Sequence, residues 1–451
     1  RYNTSGEIYN ANGEIVGFYN NETDNYNQKN YQLLWEQKLG NLWKLNTTIH
    51  YTQGKGYYDN YKSNQKYSKY GLPNIIIGNT TISRADLIRQ KWLDNNFYGI
   101  VSELQGKLNQ WNINIGWVAN QYFGKHFGEI TDGTNLQPSN LPWEYYRNHA
   151  LKNEISAYGK VLYSIDNWGV FADAQFRNIQ YDSRVDKASA EESPEFDKKY
   201  FFFNPKIGTT YQAGFGNFYF SYANAHREPA RNDLKENPNI QPEQLHDFEL
   251  GYNTTLGNIS IAANVYYMLY ENQLVLTGAV NDVGAALHEN SGKSYRRGLE
   301  IVANYKLSKQ WNILANTTIS QNKNQNYIVE TNFGTTNFGN TNIAFSPDFI
   351  GNATINYLPT EKISLSLVQK FVGKQYINNT QTEEYKLNAY QLTDFLANYK
   401  CSWGKTDIGI FVLVNNIFNR SYTNYGVDYG SPYYYAQAKA NFLLGVNLKF
   451  N

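Results

Sequence analysis

The sequence predicts an all-β protein, a transmembrane antiparallel β-barrel, on three observations. Apolar and polar side chains alternate with a period of two in stretch after stretch, short and long connections alternate between those stretches, and 16% of the chain is aromatic, with 40 Tyr and 9 Trp. The clearest stretch is Tyr434 to Asn451. There Ala436, Ala438, Ala440, Phe442, Leu444, Val446, Leu448 and Phe450 alternate with Gln437, Lys439, Asn441, Asn447 and Lys449, which reads as one long strand with one greasy and one wet face. A strand of that length suits a tilted crossing of a bilayer of roughly 30 Å.

The totals agree. Of 451 residues 41% are apolar, the mean hydropathy is -0.61, and no run of about 18 apolar residues could form a membrane helix. A barrel escapes that test, because half of each strand faces a polar interior. The formal net charge of +1 and the lack of a basic tract give no reason to expect a nucleic-acid partner. Cys401 is the single cysteine, so there is no intrachain disulfide, and the six histidines show no metal-ligand spacing. Neither a nucleophile with a paired base nor a phosphate-binding Gly loop is seen; we therefore expect no catalysis, no metal and no cofactor. Met268 is the only methionine, so the chain does not begin at a translation start.

Taken in order, residues 1–27 read as part of an extracellular loop and 28–451 as strands and loops of one barrel portion. Strands are expected at 28–39 and from Leu42 past Tyr51, then at 96–107, 111–120, 154–165 and 168–181, where Trp168, Val170, Ala172, Ala174 and Phe176 form one face. Tight turns fall at Gly40-Asn41, Asn109-Gln110, Asp166-Asn167, Gly214-Phe215-Gly216, Leu256-Gly257-Asn258, Ser308-Lys309-Gln310, Pro359-Thr360-Glu361 and Gly404-Lys405. Long polar loops fall near 55–94, 124–150, 183–200, 226–243, 275–293, 322–346, 374–388 and 420–433. Short turns on one rim and long loops on the other are the sidedness of an outer-membrane barrel. Trp43, Trp111, Trp168, Trp311 and Trp403 all lie beside a tight turn, where an indole can anchor at the membrane interface. The count comes to about seventeen strands; that number is odd, so an odd number must precede Arg1 if the barrel is even-stranded.

Two stretches resemble the family of TonB-dependent outer-membrane receptors. Val414-Asn415-Asn416-Ile417-Phe418-Asn419-Arg420-Ser421-Tyr422 is similar to the family's penultimate-strand signature, with Asn419 where Asp is more frequent. Ser221-Tyr222-Ala223-Asn224-Ala225-His226-Arg227-Glu228-Pro229, with Pro242-Glu243 and Asp247 to Tyr252, resembles its mid-barrel strand, loop and return strand. The resemblance implies an expected total of about 22 strands, of which this chain holds the C-terminal seventeen or so, without the family's plug domain. It also implies a Gram-negative outer-membrane location and a transporter of the siderophore or iron-complex type. Such a receptor takes up a scarce large nutrient when TonB, with ExbB and ExbD, pulls on the plug through its TonB box. Cobalamin or another nutrient is the second cargo. A passive porin or a structural barrel in a surface complex is the reading from another class, and outer-membrane lipids and a surface lipoprotein are the further partners.

Candidate ligand contacts are Tyr57, Tyr58 and Tyr61 in the loop 55–94, and His226, Arg227, Glu228 and Arg231 at the 226–243 loop. The tyrosines have two readings, outer aromatic girdle or ligand vestibule. The charged group also has two, a brace of the wall through charge-assisted bonds or an anchor for an anionic cargo.

Overall fold

A computed structural model describes residues 7–18, 24–188, 195–280, 285–331 and 334–450 of the chain. It contains two compact units, Arg1–Val161 with Ala174–Phe203, and Leu162–Asp173 with Asn204–Asn451. Residues 1–6, 19–23 and 451, on which the expected N-terminal loop and the last residue partly fall, lie outside the described set. No helix is long and apolar enough to cross a membrane among the described residues, which says nothing of strands.

In the first unit Asp24–Leu39 pairs antiparallel with Trp43–Lys66, which pairs with Arg84–Leu108, which pairs with Trp111–Gly133. Trp43, Leu45, Thr47, Ile49 and Tyr51 share one face with Leu104, Ile100, Ile113 and Ile115 across the ladders. In the second unit Gly216–Arg227, Glu243–Leu256, Ile259–Glu271, Lys293–Lys306, Trp311–Thr331, Phe349–Thr360, Ile363–Val372, Tyr390–Trp403, Thr406–Asn415 and Asn441–Phe450 pair in that order, each antiparallel to the next. Consecutive pairing follows from the turns. Gly40, Asn109, Asp166, Gly257 and Gly404 all take φ between 49° and 68°, the left-handed backbone that a tight hairpin needs and that Gly, Asn and Asp tolerate best.

The apolar face of these ladders is uncovered. Phe442, Leu444, Val446 and Leu448 are 77%, 60%, 57% and 55% exposed, a contiguous greasy stripe that water alone would penalise and lipid would not. On the opposite face, rings of one strand lie over glycines of the next. Tyr219 stands directly across from Gly251, and a Cβ at Gly251 would come within 1.9 Å of its ring; Tyr266 over Gly298 and Phe411 over Gly445 repeat the device. Gly251→Val is therefore expected to cost about 1–3 kcal/mol, lowering the fraction that runs as the heat-resistant folded form on an unheated gel. Adding Tyr219→Ala should restore most of it, and a double variant no better than the single would rule out the ring as the cause.

Several expected boundaries are corrected. The stretch 55–94 is mostly strand, because Trp43–Lys66 and Arg84–Leu108 run well past the apolar belt. The stretches 124–150, 183–200 and 322–346 likewise shrink, with strands reaching Gly133, Lys187 and Thr331 and the next resuming at Trp143, Phe196 and Gly334. Beyond the lipid both faces of a sheet are wet, so alternation fades while the backbone ladder persists. The terminal stretch is two elements: Pro432–Ala436 pairs with Thr423–Asp428 in a separate hairpin, and only Asn441–Phe450 joins the wall. The first wall strand begins at Asp24, not residue 28, and Glu7–Tyr9 pairs with Ile15–Phe18 in the segment read as loop.

Candidate functional site

The long connections of the second unit are folded, with a small core of their own. The connection after Ile259–Glu271 forms a hairpin, Leu274–Val280 with Ala286–Asn290. Residues beyond Ile363–Val372 form the two-residue pair Gln375–Tyr376 with Lys386–Leu387. Between them they bury Leu274, Val275, Tyr376, Ile377 and Leu387, together with Ile343, Ala344 and Val427 from neighbouring connections. Loops that only bridged strands would have no such apolar centre.

Polar groups lock this centre from several sides. Asn379, 1% exposed, donates from Nδ2 to the Leu276 carbonyl at 2.8 Å, while its Oδ1 accepts from the Ala344 amide at 2.9 Å and from Asn324 Nδ2 at 3.3 Å. Tyr327 donates its hydroxyl to Glu289 Oε1, and burial pushes the Glu289 carboxyl above the usual range. Asn378 Nδ2 and the Tyr385 hydroxyl both donate to Asp428, at 3.1 and 3.3 Å, which ties in the hairpin Thr423–Asp428. Gly278, at φ 87°, passes so close to the Ile377 carbonyl that a Cβ would lie 2.5 Å from that oxygen. At the short helix Arg231–Glu236, burial raises the Asp233 carboxyl, but the His288 ring at 3.0 Å and the Ala230 amide outweigh it and hold the group below its ordinary value.

Beside this cluster lies an open cleft of about 520 Å³. Its polar lining includes Lys386, Tyr390, Tyr422, Tyr434, Gln437 and Lys439. The signature stretch builds one wall. Asn416 and Asn419 both take left-handed φ, 51° and 53°; Asn416 receives the Arg420 amide on Oδ1 and gives its own amide to Asp394, and Asn419 Oδ1 accepts from the Ala440 amide. That double reversal delivers Tyr422 against Tyr390, ring centres 4.9 Å apart. Asn performs the same left-handed turn as Asp, so the departure at 419 leaves the geometry intact. Burial pushes the Tyr434 phenol above its ordinary value, which keeps it neutral, and it donates to the Glu384 carbonyl. Lys386 pairs with Glu383 at the rim. Cationic ammoniums and neutral phenols around an open cleft suit an oxygen-rich anion. Among the described residues no group of His, Cys, Asp and Glu could hold a metal ion.

The residues expected to contact ligand stand away from this cleft. Tyr57, Tyr58 and Tyr61 stand on the strand Trp43–Lys66, not on a loop, in the first unit. Tyr57 shares the apolar face and packs on Trp92 at 4.4 Å, and Tyr61 donates to Asp86 at 2.8 Å. In the second unit Arg227 reaches Glu243 and the Leu274 carbonyl, both at 3.2 Å, while Glu243 accepts the Leu274 amide at 2.8 Å. That is a brace under the hairpin. His226 holds Asn204 at 2.9 Å, and Glu228 follows the end of that strand while Arg231 opens the short helix. None of these seven lines the cleft. The cleft residues Lys386, Tyr390, Gln437 and Lys439 come from separate segments and are not among the seven; the tyrosine run 425–435 and the motif's final Tyr422 were the sequence signals nearest to them. Trp43, Trp111, Trp168, Trp311 and Trp403 all occupy the first or last position of a strand at a tight turn.

Antiparallel ladders with a bare apolar face, tight turns on one rim and folded long connections on the other define a transmembrane β-barrel of the outer-membrane type. The sequence profile of the TonB dependent receptor-like, beta-barrel family matches residues 1–417, and the chain belongs to that family, whose members are Gram-negative outer-membrane proteins. Among curated proteins none matches the chain. Among solved structures it is similar to the siderophore receptor PiuA from Acinetobacter baumannii, with a TM-score of 0.68 and 15% identity over 95% of this chain and 65% of that one. It is also similar to the ferric-catecholate import receptor Fiu from K12 E. coli, TM-score 0.66, 14% identity, 98% and 68% covered, and to the copper transporter OprC, TM-score 0.71, 13% identity, 93% and 65% covered. At such identities the likeness shows the fold, and this chain spans about two thirds of each of those chains.

Proposed function

We propose that the protein acts in the import of a scarce, oxygen-rich anionic nutrient, first a ferric siderophore or other iron complex, energised by TonB with ExbB and ExbD. The observation that carries this reading is the cleft, where Lys439, and Lys386 beside its rim partner Glu383, stand among the phenols of Tyr390 and Tyr422. Ferric complexes of catecholate or carboxylate ligands present peripheral anionic oxygens, which ammonium and phenol donors bind through charge-assisted bonds of about 1.5–3 kcal/mol each. No covalent step is needed. The interfacial tryptophans hold the wall at the membrane level, and Arg227 with Glu243 keeps the loop hairpin seated.

Cells depending on this receptor and given one iron source at a time provide the test. Lys386→Ala with Lys439→Ala is expected to weaken uptake of an anionic ferric siderophore about tenfold or more, while the barrel stays heat-resistant on gels. Uptake unchanged by the double variant, or a growth defect restricted to cobalamin, would reject the iron-complex reading. Diffusion of small sugars through the protein without TonB would favour a passive porin instead.

A further inference from the structure

The lipid-facing side of the second unit carries a cationic site at the outer edge of its apolar belt. On the strand Lys293–Lys306, Tyr305, Ala303, Ile301, Leu299, Arg297 and Tyr295 face the same way, counted from the tight-turn end. Across the ladders Leu299 meets Val265 and Ile319, Arg297 meets Tyr267 and Gln321, and Tyr295 meets Leu269 and Lys323. From Tyr305 to Tyr295 is roughly 33 Å of strand, or about 23–25 Å of depth at a 45° tilt, the height of an outer-membrane apolar band. Arg297 and Lys323 therefore stand where the hydrocarbon ends, on the rim of the long connections.

A charge on a lipid-facing wall is costly unless it meets a partner at the headgroups. Here the guanidinium is prepared for one. Gln321 Oε1 accepts both the Tyr295 hydroxyl, at 2.9 Å, and Arg297 Nε, at 3.0 Å, and the Tyr295 ring lies 5.5 Å from the guanidinium carbon. That fixes the fork while its two Nη groups, and the Lys323 ammonium one row farther out, have no protein partner among the described residues. Among the described side chains, Glu271 is the acidic residue that these three strands present on this face, and it lies a further row out, opposite Lys293. Below Arg297 an open groove of about 700 Å³ runs along Val265, Leu299 and Ile319. A fixed two-pronged donor, a second cation and an apolar groove beneath them match a phosphate with acyl chains attached.

We propose that Arg297 and Lys323 bind the phosphate of an outer-leaflet lipid, whose acyl chain lies in the groove below. The protein extracted from outer membranes in mild detergent is examined by native mass spectrometry with three probes: a bis-phosphorylated glucosamine lipid, the same lipid without phosphates, and inorganic phosphate. The unaltered protein is expected to retain the phosphorylated lipid at least about tenfold more than the dephosphorylated one, with inorganic phosphate unable to displace it. Arg297→Gln with Lys323→Gln should abolish that preference, and Arg297→Lys should keep part of it. Equal retention of both lipids by the unaltered protein would overturn the proposal, as would equal binding of free phosphate, which would mark an anion site without a lipid.

Discussion

Gly278→Ala is expected to unseat the hairpin Leu274–Val280 from the loop core. Gly278 adopts φ 87°, where an L side chain is strained by about 1–3 kcal/mol, and the added Cβ would meet the Ile377 carbonyl at 2.5 Å. Backbone cannot swing away as a side-chain tip can, so the contact adds a further cost of similar size. A total near 3 kcal/mol would raise the undocked population roughly a hundredfold. Hydrogen exchange of the amides in 274–280 and 376–379 reads this directly. Gly292→Ala is the control, since Gly292 has a comparable φ of 72° and open space around it. If both variants exchange alike, the close pass against Ile377 contributes nothing.

Asn379→Ala should loosen the same centre from its polar side. Removing this amide leaves the Leu276 carbonyl and the Ala344 amide buried without their partner, each at about 1–3 kcal/mol, and releases Asn324 as well. We expect about 3 kcal/mol of lost loop docking, with faster exchange in 274–280 and 341–346 and no change in the wall strands. Asn379→Asp is the informative companion: it keeps the acceptor for Ala344 but loses the donor to Leu276 and adds a charge near the buried Glu289. Wild-type protection in Asn379→Ala would mean that the loops are held by their apolar contacts alone. Either variant in which the cleft opens should also take up cargo less well, because Lys386 pairs with Tyr376, whose neighbour Ile377 lies against the displaced hairpin.

The wall was legible in the sequence for a simple physical reason. Lipid on one face enforces alternation, so Trp311, Ile313, Ala315 and Ile319 announce their strand and Asn109 or Gly404 its turn. Past the lipid that pressure ends. Tyr57 to Lys66 and Asn322 to Thr331 form strands with polar or mixed sequence, so they read as loops, and Ala436 to Ala440 keep the alternation while the chain leaves one sheet and enters another. The seven ligand candidates were chosen for being charged or aromatic near a presumed loop. Arg227 instead satisfies a carboxylate and a carbonyl, and Tyr57 packs on Trp92. The cleft escaped notice because Lys386, Tyr390 and Lys439 become neighbours only after the strands pair, and no local pattern marks them. The signature Val414 to Tyr422 was visible as a motif, but its work as a double left-handed reversal behind Tyr422 required coordinates.

The sidedness of the wall underlies the transport reading and the lipid site together, and single cysteines test it most directly. In a Cys401→Ser background, Ser431→Cys is placed in the hairpin beyond the folded loops and Lys309→Cys in a tight turn, both exposed. A membrane-impermeant maleimide added to intact cells is expected to label position 431 and spare 309 until the outer membrane is permeabilised. Labelling of 309 on intact cells, with 431 protected, would contradict the account.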